Sequence, residues 1–195
     1  MKMIFGWKSD KQDEGRFVHA WDGALVLLYH FSEDPSISVF MPRQLSYRLD
    51  EPAMVWAING YYGVNYYFPR DCPRICLSVR EGTTAEDRER FFGMSSTDRL
   101  VAIESSWLER LRKAVLYRYT FDETEFELYD ANAGYYTAAQ EVKPVAVERM
   151  DDLLSWLIDA GVELRVTPSL KQLRDAVLAS TLGFSLIRMK NAVLI

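Results

Sequence analysis

Apolar positions in this chain fall in short runs separated by brief amphipathic stretches, with no long hydrophobic stripe. Leu25 to Tyr29 reads as a buried strand that delivers His30 to a turn. Glu33-Asp34-Pro35 stops it, because proline fixes its own φ and restricts the residue before it. Further strands are predicted over Met54 to Ile58, Ile75 to Val79, Arg99 to Glu104, Val115 to Phe121, Val142 to Val147, Val162 to Val166 and Phe184 to Ala192. Val115 to Phe121 alternates most cleanly, as a half-buried strand does. Helices are predicted from a hydroxyl cap at Thr83-Thr84 to Gly93, from Ser106 to Ala114, from Leu153 to Ala160 behind Asp151-Asp152, and from Thr167-Pro168-Ser169 through Leu170, Leu173 and Val177. Tyr61 to Phe68 is an aromatic cluster forming a short helix or an irregular turn. Glu123 to Ala139 reads as a surface excursion.

Short strands interleaved with short helices predict an α+β fold, with a mixed, mostly antiparallel sheet and flanking helices. At 195 residues and 49% hydrophobic content the chain supports one core. The division is an N-terminal extension over 1–22, polar through KSDKQDEGR and bearing His19, followed by a single domain over 23–195. A formal charge of -5 argues against nucleic acid as a partner. No apolar run spans a bilayer and no signal layout opens the chain, so no membrane association is expected. With two cysteines, Cys72 and Cys76, a disulfide scaffold is not expected and the compartment reads as cytoplasmic. Their spacing, with no second ligand pair, predicts ordinary thiols and no metal.

The chemistry-bearing positions are few. His30 stands at a strand end, where functional side chains are often displayed. The aromatics of 61–67 pack in a core or stack on a planar ligand. Phe68-Pro69-Arg70-Asp71-Cys72-Pro73-Arg74 stiffens a turn between two prolines and carries two arginines, which fork onto a phosphate or carboxylate or pair with Asp71. Glu141, ahead of a predicted strand and after a tyrosine-rich loop, is the first carboxylate candidate, and Glu148 the second. Rossmann, P-loop, GxSxG and His-Glu-x-x-His motifs are absent.

The strings Tyr29-His30-Phe31-Ser32-Glu33, Val55-Trp56-Ala57-Ile58, Phe68 to Arg74 and Val162 to Leu170 together resemble a bacterial family known only as a domain of unknown function, from about Leu28 to Ala192. That resemblance implies no activity. The order of His at a strand end, a tyrosine-bearing segment after the next strand, and Glu before a late strand more distantly resembles ADP-ribosyltransferase-like folds of the His-Tyr-Glu kind. This second resemblance implies NAD as substrate, with His30 on the ribose, Tyr66 or Tyr67 stacked on nicotinamide, and Glu141 as the catalytic carboxylate. Trp56, Arg43, Arg70 and Arg74 complete the implied NAD-binding set, the arginines facing the pyrophosphate. The reaction implied is cleavage of the nicotinamide–ribose bond, by transfer to an unidentified macromolecular acceptor or by hydrolysis. The competing readings are a non-catalytic nucleotide or small-ligand module, a structural or interaction protein, and a hydrolase using His30 with Glu33 or Asp34 as general acid and base.

Overall fold

A computed structural model describes residues 27–44 and 50–193. The predicted extension over 1–22, with His19, and the first two residues of the predicted opening strand lie outside the described residues.

Among the described residues two sheets form, not one. The first six-stranded sheet has the order β6-β7-β2-β1-β5-β8, from β1 (Leu27–Ser32), β2 (Val55–Asn59), β5 (Leu116–Asp122), β6 (Glu127–Asp130), β7 (Tyr135–Ala138) and β8 (Ala146–Met150). The second has the order β10-β3-β4-β9, from β3 (Arg74–Ser78), β4 (Arg99–Glu104), β9 (Glu163–Thr167) and β10 (Gly183–Ile187). All the named pairings are antiparallel except β4 with β9. Five short helices, α1 (Gly60–Gly63), α2 (Ala85–Phe92), α3 (Leu108–Lys113), α4 (Leu153–Asp159) and α5 (Lys171–Val177), complete an α+β domain.

The hydrophobic pattern dictates this arrangement. In β4, Val101 and Ile103 join one buried cluster while Leu100 and Ala102 join another. A strand covered on both faces reads as a continuous apolar run, as Arg99–Glu104 does. In β1, Leu28 packs with Phe40, Val55, Ala57, Tyr119 and Phe121, and Phe31 packs against the cluster around Val64, Phe68 and Ile103. The period of two sends neighbouring residues of β1 to opposite faces.

Two corrections to the sequence pattern bear on the site. Glu123 to Ala139 is not a plain excursion. It contains the β6–β7 hairpin, and β7 pairs with β2 over Val55↔Ala138 to Ile58↔Tyr135. Asp130 to Gly134 supplies the turn, its Asp130 carboxylate accepting the N–H groups of Asn132 and Ala133. The late strand starts at Ala146, after Pro144, because proline has no N–H to give a ladder. Val142 makes only a paired backbone bridge to Phe40, at 2.8 and 3.0 Å. A further difference is at the C-terminal end, where the strand stops at Ile187 and Met189–Asn191 turns as a 3₁₀ helix.

The turn after β1 is held from behind. The Tyr119 hydroxyl, on a side chain with no exposed area, donates to Asp34 O at 2.6 Å and accepts from Ile37 N at 3.2 Å. The Asp34 carboxylate accepts from both the N–H and the hydroxyl of Ser36, and these bonds hold it below the usual carboxylate range.

Gly134 carries the hairpin past β2. Its carbonyl accepts the Asn59 N–H at 2.9 Å, its φ is +69°, and an added Cβ would stand 2.4 Å from Tyr62 Cδ2 and 2.8 Å from Asn59 Oδ1. Gly134→Ala is therefore expected to destabilise the protein by about 1–3 kcal/mol. Thermal unfolding checks this, and an unchanged midpoint would show that the hairpin relaxes freely.

Candidate functional site

The site is built where β1 and β2 part. β1 pairs with β5 over its whole length, Leu27↔Asp122 to Ser32↔Tyr117, but with β2 only at Leu28↔Asn59 and Tyr29↔Ile58. Beyond that point the strands diverge, and the side chain of His30 enters. Its Nδ1 lies 3.0 Å from Trp56 O. A carbonyl only accepts, so Nδ1 carries the proton. Burial lowers the His30 pKa, opposed by the bond to Trp56 and reinforced by the positive charge of Arg70 and Arg43. The neutral ring consequently presents Nε2 as an acceptor. Phe40 packs against the imidazole at 4.9 Å between ring centroids.

A cleft of about 190 Å³ opens from this divergence. Tyr29, Phe31, Trp56, Tyr66 and Tyr135 give it aromatic walls, and Glu33, Arg70, Arg74 and Arg188 give it charge. At about 15 Å³ for each water, this is room for on the order of a dozen waters, enough for a ring and a sugar but not a whole dinucleotide. The Phe31 and Tyr66 rings are nearly parallel, with centroids 6.4 Å apart. The Tyr66 hydroxyl meets the Tyr135 hydroxyl, and Trp56 sets its edge against Tyr135 and Tyr129.

Arg74 is the unusual member. It is 2% exposed, yet no carboxylate among the described residues pairs with it. Nε donates to Asn65 O at 2.5 Å and Nη1 to Cys72 O at 2.9 Å, while the guanidinium lies over the rings of Tyr66 and Phe68 at 5.5 and 5.2 Å. Burial pushes its pKa down, but arginine stays protonated in proteins. Two exposed arginines stand with it. Arg188 has a left-handed backbone, φ 54°, and its Nε donates to Arg70 O at 3.1 Å. The Arg70 N–H donates to Glu33 Oε1 at 3.1 Å.

The cleft thus brings together His30, Tyr66, Trp56, Arg70 and Arg74 among the residues singled out from sequence. It does not bring the others. Tyr67, which follows the 3₁₀ turn Val64–Tyr66, turns away into the core, edge-on to Phe31 at 5.3 Å and to Trp156 at 6.2 Å, because successive residues of such a turn cannot share a face. Arg43 pairs with Met54 through its backbone and does not line the cleft. Glu141 is exposed beside the Val142–Phe40 bridge and is not among the lining residues; the strand expected directly after it begins later. Glu148, on edge strand β8, pairs with Arg118 of β5.

Sequence reasoning missed Arg188 and Tyr135. Arg188 interrupts the apolar stretch Leu186 to Met189, a signal that a charge is being aimed away from the core. Tyr135 follows turn residues ending in Gly134, a hairpin signature. Cys72 and Cys76 are both buried free thiols, pushed up to about 11 and about 12 by burial. Among the described residues no group of three or more His, Cys, Asp or Glu is placed to hold a metal ion, and no helix is long and apolar enough to cross a membrane.

His30 should mark its burial in solution. The folded state resists protonating it, so the unfolded chain binds more protons below pH about 6.5. Stability is then full above that pH and falls as pH drops from 6.5 toward the lowered folded value. His30→Gln should flatten this segment of the stability-versus-pH curve, measured by urea unfolding between pH 5 and 8. Identical curves for the two proteins would place the imidazole in water.

No curated protein and no solved structure proved similar to the chain. A family model does match, over residues 29–192 and therefore over the whole cleft and all of both sheets except Leu27 and Leu28 of β1. The chain belongs to DUF6886, a family of unknown function.

Proposed function

We propose that the β1–β2 cleft is a nucleotide site that receives NAD at its nicotinamide–ribose end, as ADP-ribosyltransferase-like proteins do. The supporting observation is the imidazole of His30, fixed by Trp56 O so that Nε2 accepts a ribose hydroxyl. Beside it, Phe31, Tyr66 and Trp56 offer ring faces and edges to a planar base. A cleft with room for a ring and a sugar suits that end of the dinucleotide, leaving the adenosine outside.

Binding is the part of the reading that the geometry favours most. Cleavage needs more, because breaking the nicotinamide–ribose bond builds positive charge on the sugar and calls for a carboxylate that faces it. Glu141 stands outside the cleft lining, whereas Glu33 is within it. The enzymatic form of the proposal accordingly assigns that role to Glu33 rather than Glu141, and the non-catalytic nucleotide module is the form without turnover. No metal enters either form.

Calorimetric titration with NAD, with nicotinamide release followed by chromatography, separates these forms. Saturable binding is expected, weakened by about 1–3 kcal/mol in Tyr66→Ala, the scale of one base–aromatic stack. If turnover occurs, Glu33→Gln should abolish it and Glu141→Gln should leave it unchanged. Binding without release identifies the module. The absence of any heat or thermal shift with NAD would overturn the nucleotide reading.

A further inference from the structure

We infer that Arg70, Arg74 and Arg188 form a clamp for a phosphoryl group of the ligand, with Arg74 at its buried end. This rests on the nucleotide reading above and extends it to a recognition element. Three arginines line one cleft against a single acidic residue, Glu33, in a chain whose formal charge is -5. Charge of that sign is concentrated there against the overall balance. None of the three forms an ion pair with a carboxylate among the described residues, and Glu33 spends Oε1 on the Arg70 backbone N–H.

Arg74 makes the strongest case. Removing a cation from water is costly unless an anion meets it. Here the partners are two neutral carbonyls and two ring faces, which leave Nη2 as the nitrogen not engaged by the described residues. A ligand oxyanion supplies the missing negative charge, and the planar fork suits phosphate. Arg188 adds an independent observation. A left-handed backbone is disfavoured for a residue with a Cβ and persists where the surroundings impose it, commonly at ligand sites. The bond from Arg188 Nε to Arg70 O ties the end of β10 to the Pro69–Pro73 turn, so the two exposed guanidinium groups are carried on one brace. Arg43, although it acts on the charge of His30, belongs to no part of this clamp.

The clamp predicts which fragments of a dinucleotide bind. Nicotinamide mononucleotide and nicotinamide riboside differ only by the 5′-phosphate. The intact protein should bind the mononucleotide at least about tenfold more tightly than the riboside, with an advantage that shrinks as salt rises. Inorganic pyrophosphate should compete with the mononucleotide. Arg188→Gly, which relieves the left-handed backbone while giving up the bond to Arg70 O, should leave the protein folded and remove most of that advantage; Arg70→Gln should do the same without touching the core. Arg74→Lys, which keeps the charge and loses the fork, should reduce it further. Equal binding of riboside and mononucleotide would overturn the clamp and leave the nucleotide reading intact. Pyrophosphate binding that depends on Arg188, with no binding of the nicotinamide compounds, would uphold the clamp and overturn the nucleotide reading. Failure of every probe to bind would overturn both.

Discussion

The geometry of the cleft depends on one substitution of partners, an imidazole in place of a backbone N–H at the carbonyl of Trp56. Two neighbouring strands that stop pairing leave polar backbone groups behind, and an orphaned buried carbonyl would cost about 1–3 kcal/mol. His30 removes that cost and allows β1 and β2 to part after two residue pairs. Once they part, Tyr29 to Ser32 of β1 and Trp56 to Ile58 of β2 line the gap, and the ring that satisfies the carbonyl keeps Nε2 as an acceptor.

The opening is affordable because everything around it is fixed. β5 pairs β1 along its full length, and Tyr119, rising from β5, holds both sides of the following turn through one hydroxyl. Behind them the four-stranded sheet is covered on both faces, so the cleft is backed by packed side chains on one side and by the Pro69–Pro73 turn on another. The buried Arg74 sits at the meeting of these parts. It fastens Asn65 and Cys72 by their carbonyls and lies against Tyr66 and Phe68, which keeps the aromatic segment after β2 in place.

Local patterns in the sequence carried the strands with the strongest alternation or the longest apolar runs, such as β4 and β5, and the ends of α2 at Thr84 and Gly93. They also marked His30, the tyrosines of 61–67, Arg70 and Arg74, because each is a polar or aromatic group beside a strand end or a proline turn, whereas Trp56 entered only through the ADP-ribosyltransferase-like resemblance. What local pattern cannot carry is which strand lies beside which. The split into two sheets, the insertion of β7 beside β2 and the arrival of Arg188 from the far end of the chain are all products of long-range pairing. Glu141 illustrates the same limit. Its place in the linear order of motifs suits an active-site carboxylate, yet the Pro144 break and the short bridge at Val142 decide where it stands.

Cys72 and Cys76 have a practical corollary. Because burial raises both and thiolate is the reactive form, neither sulfur is disposed to attack an alkylating reagent while the chain is folded. Both lie in the hydrophobic cluster between the sheets, so exposing them requires that interior to open. The rate of their alkylation in native buffer therefore reports how often the two layers separate, giving this domain an internal gauge of its larger breathing motions without any added label.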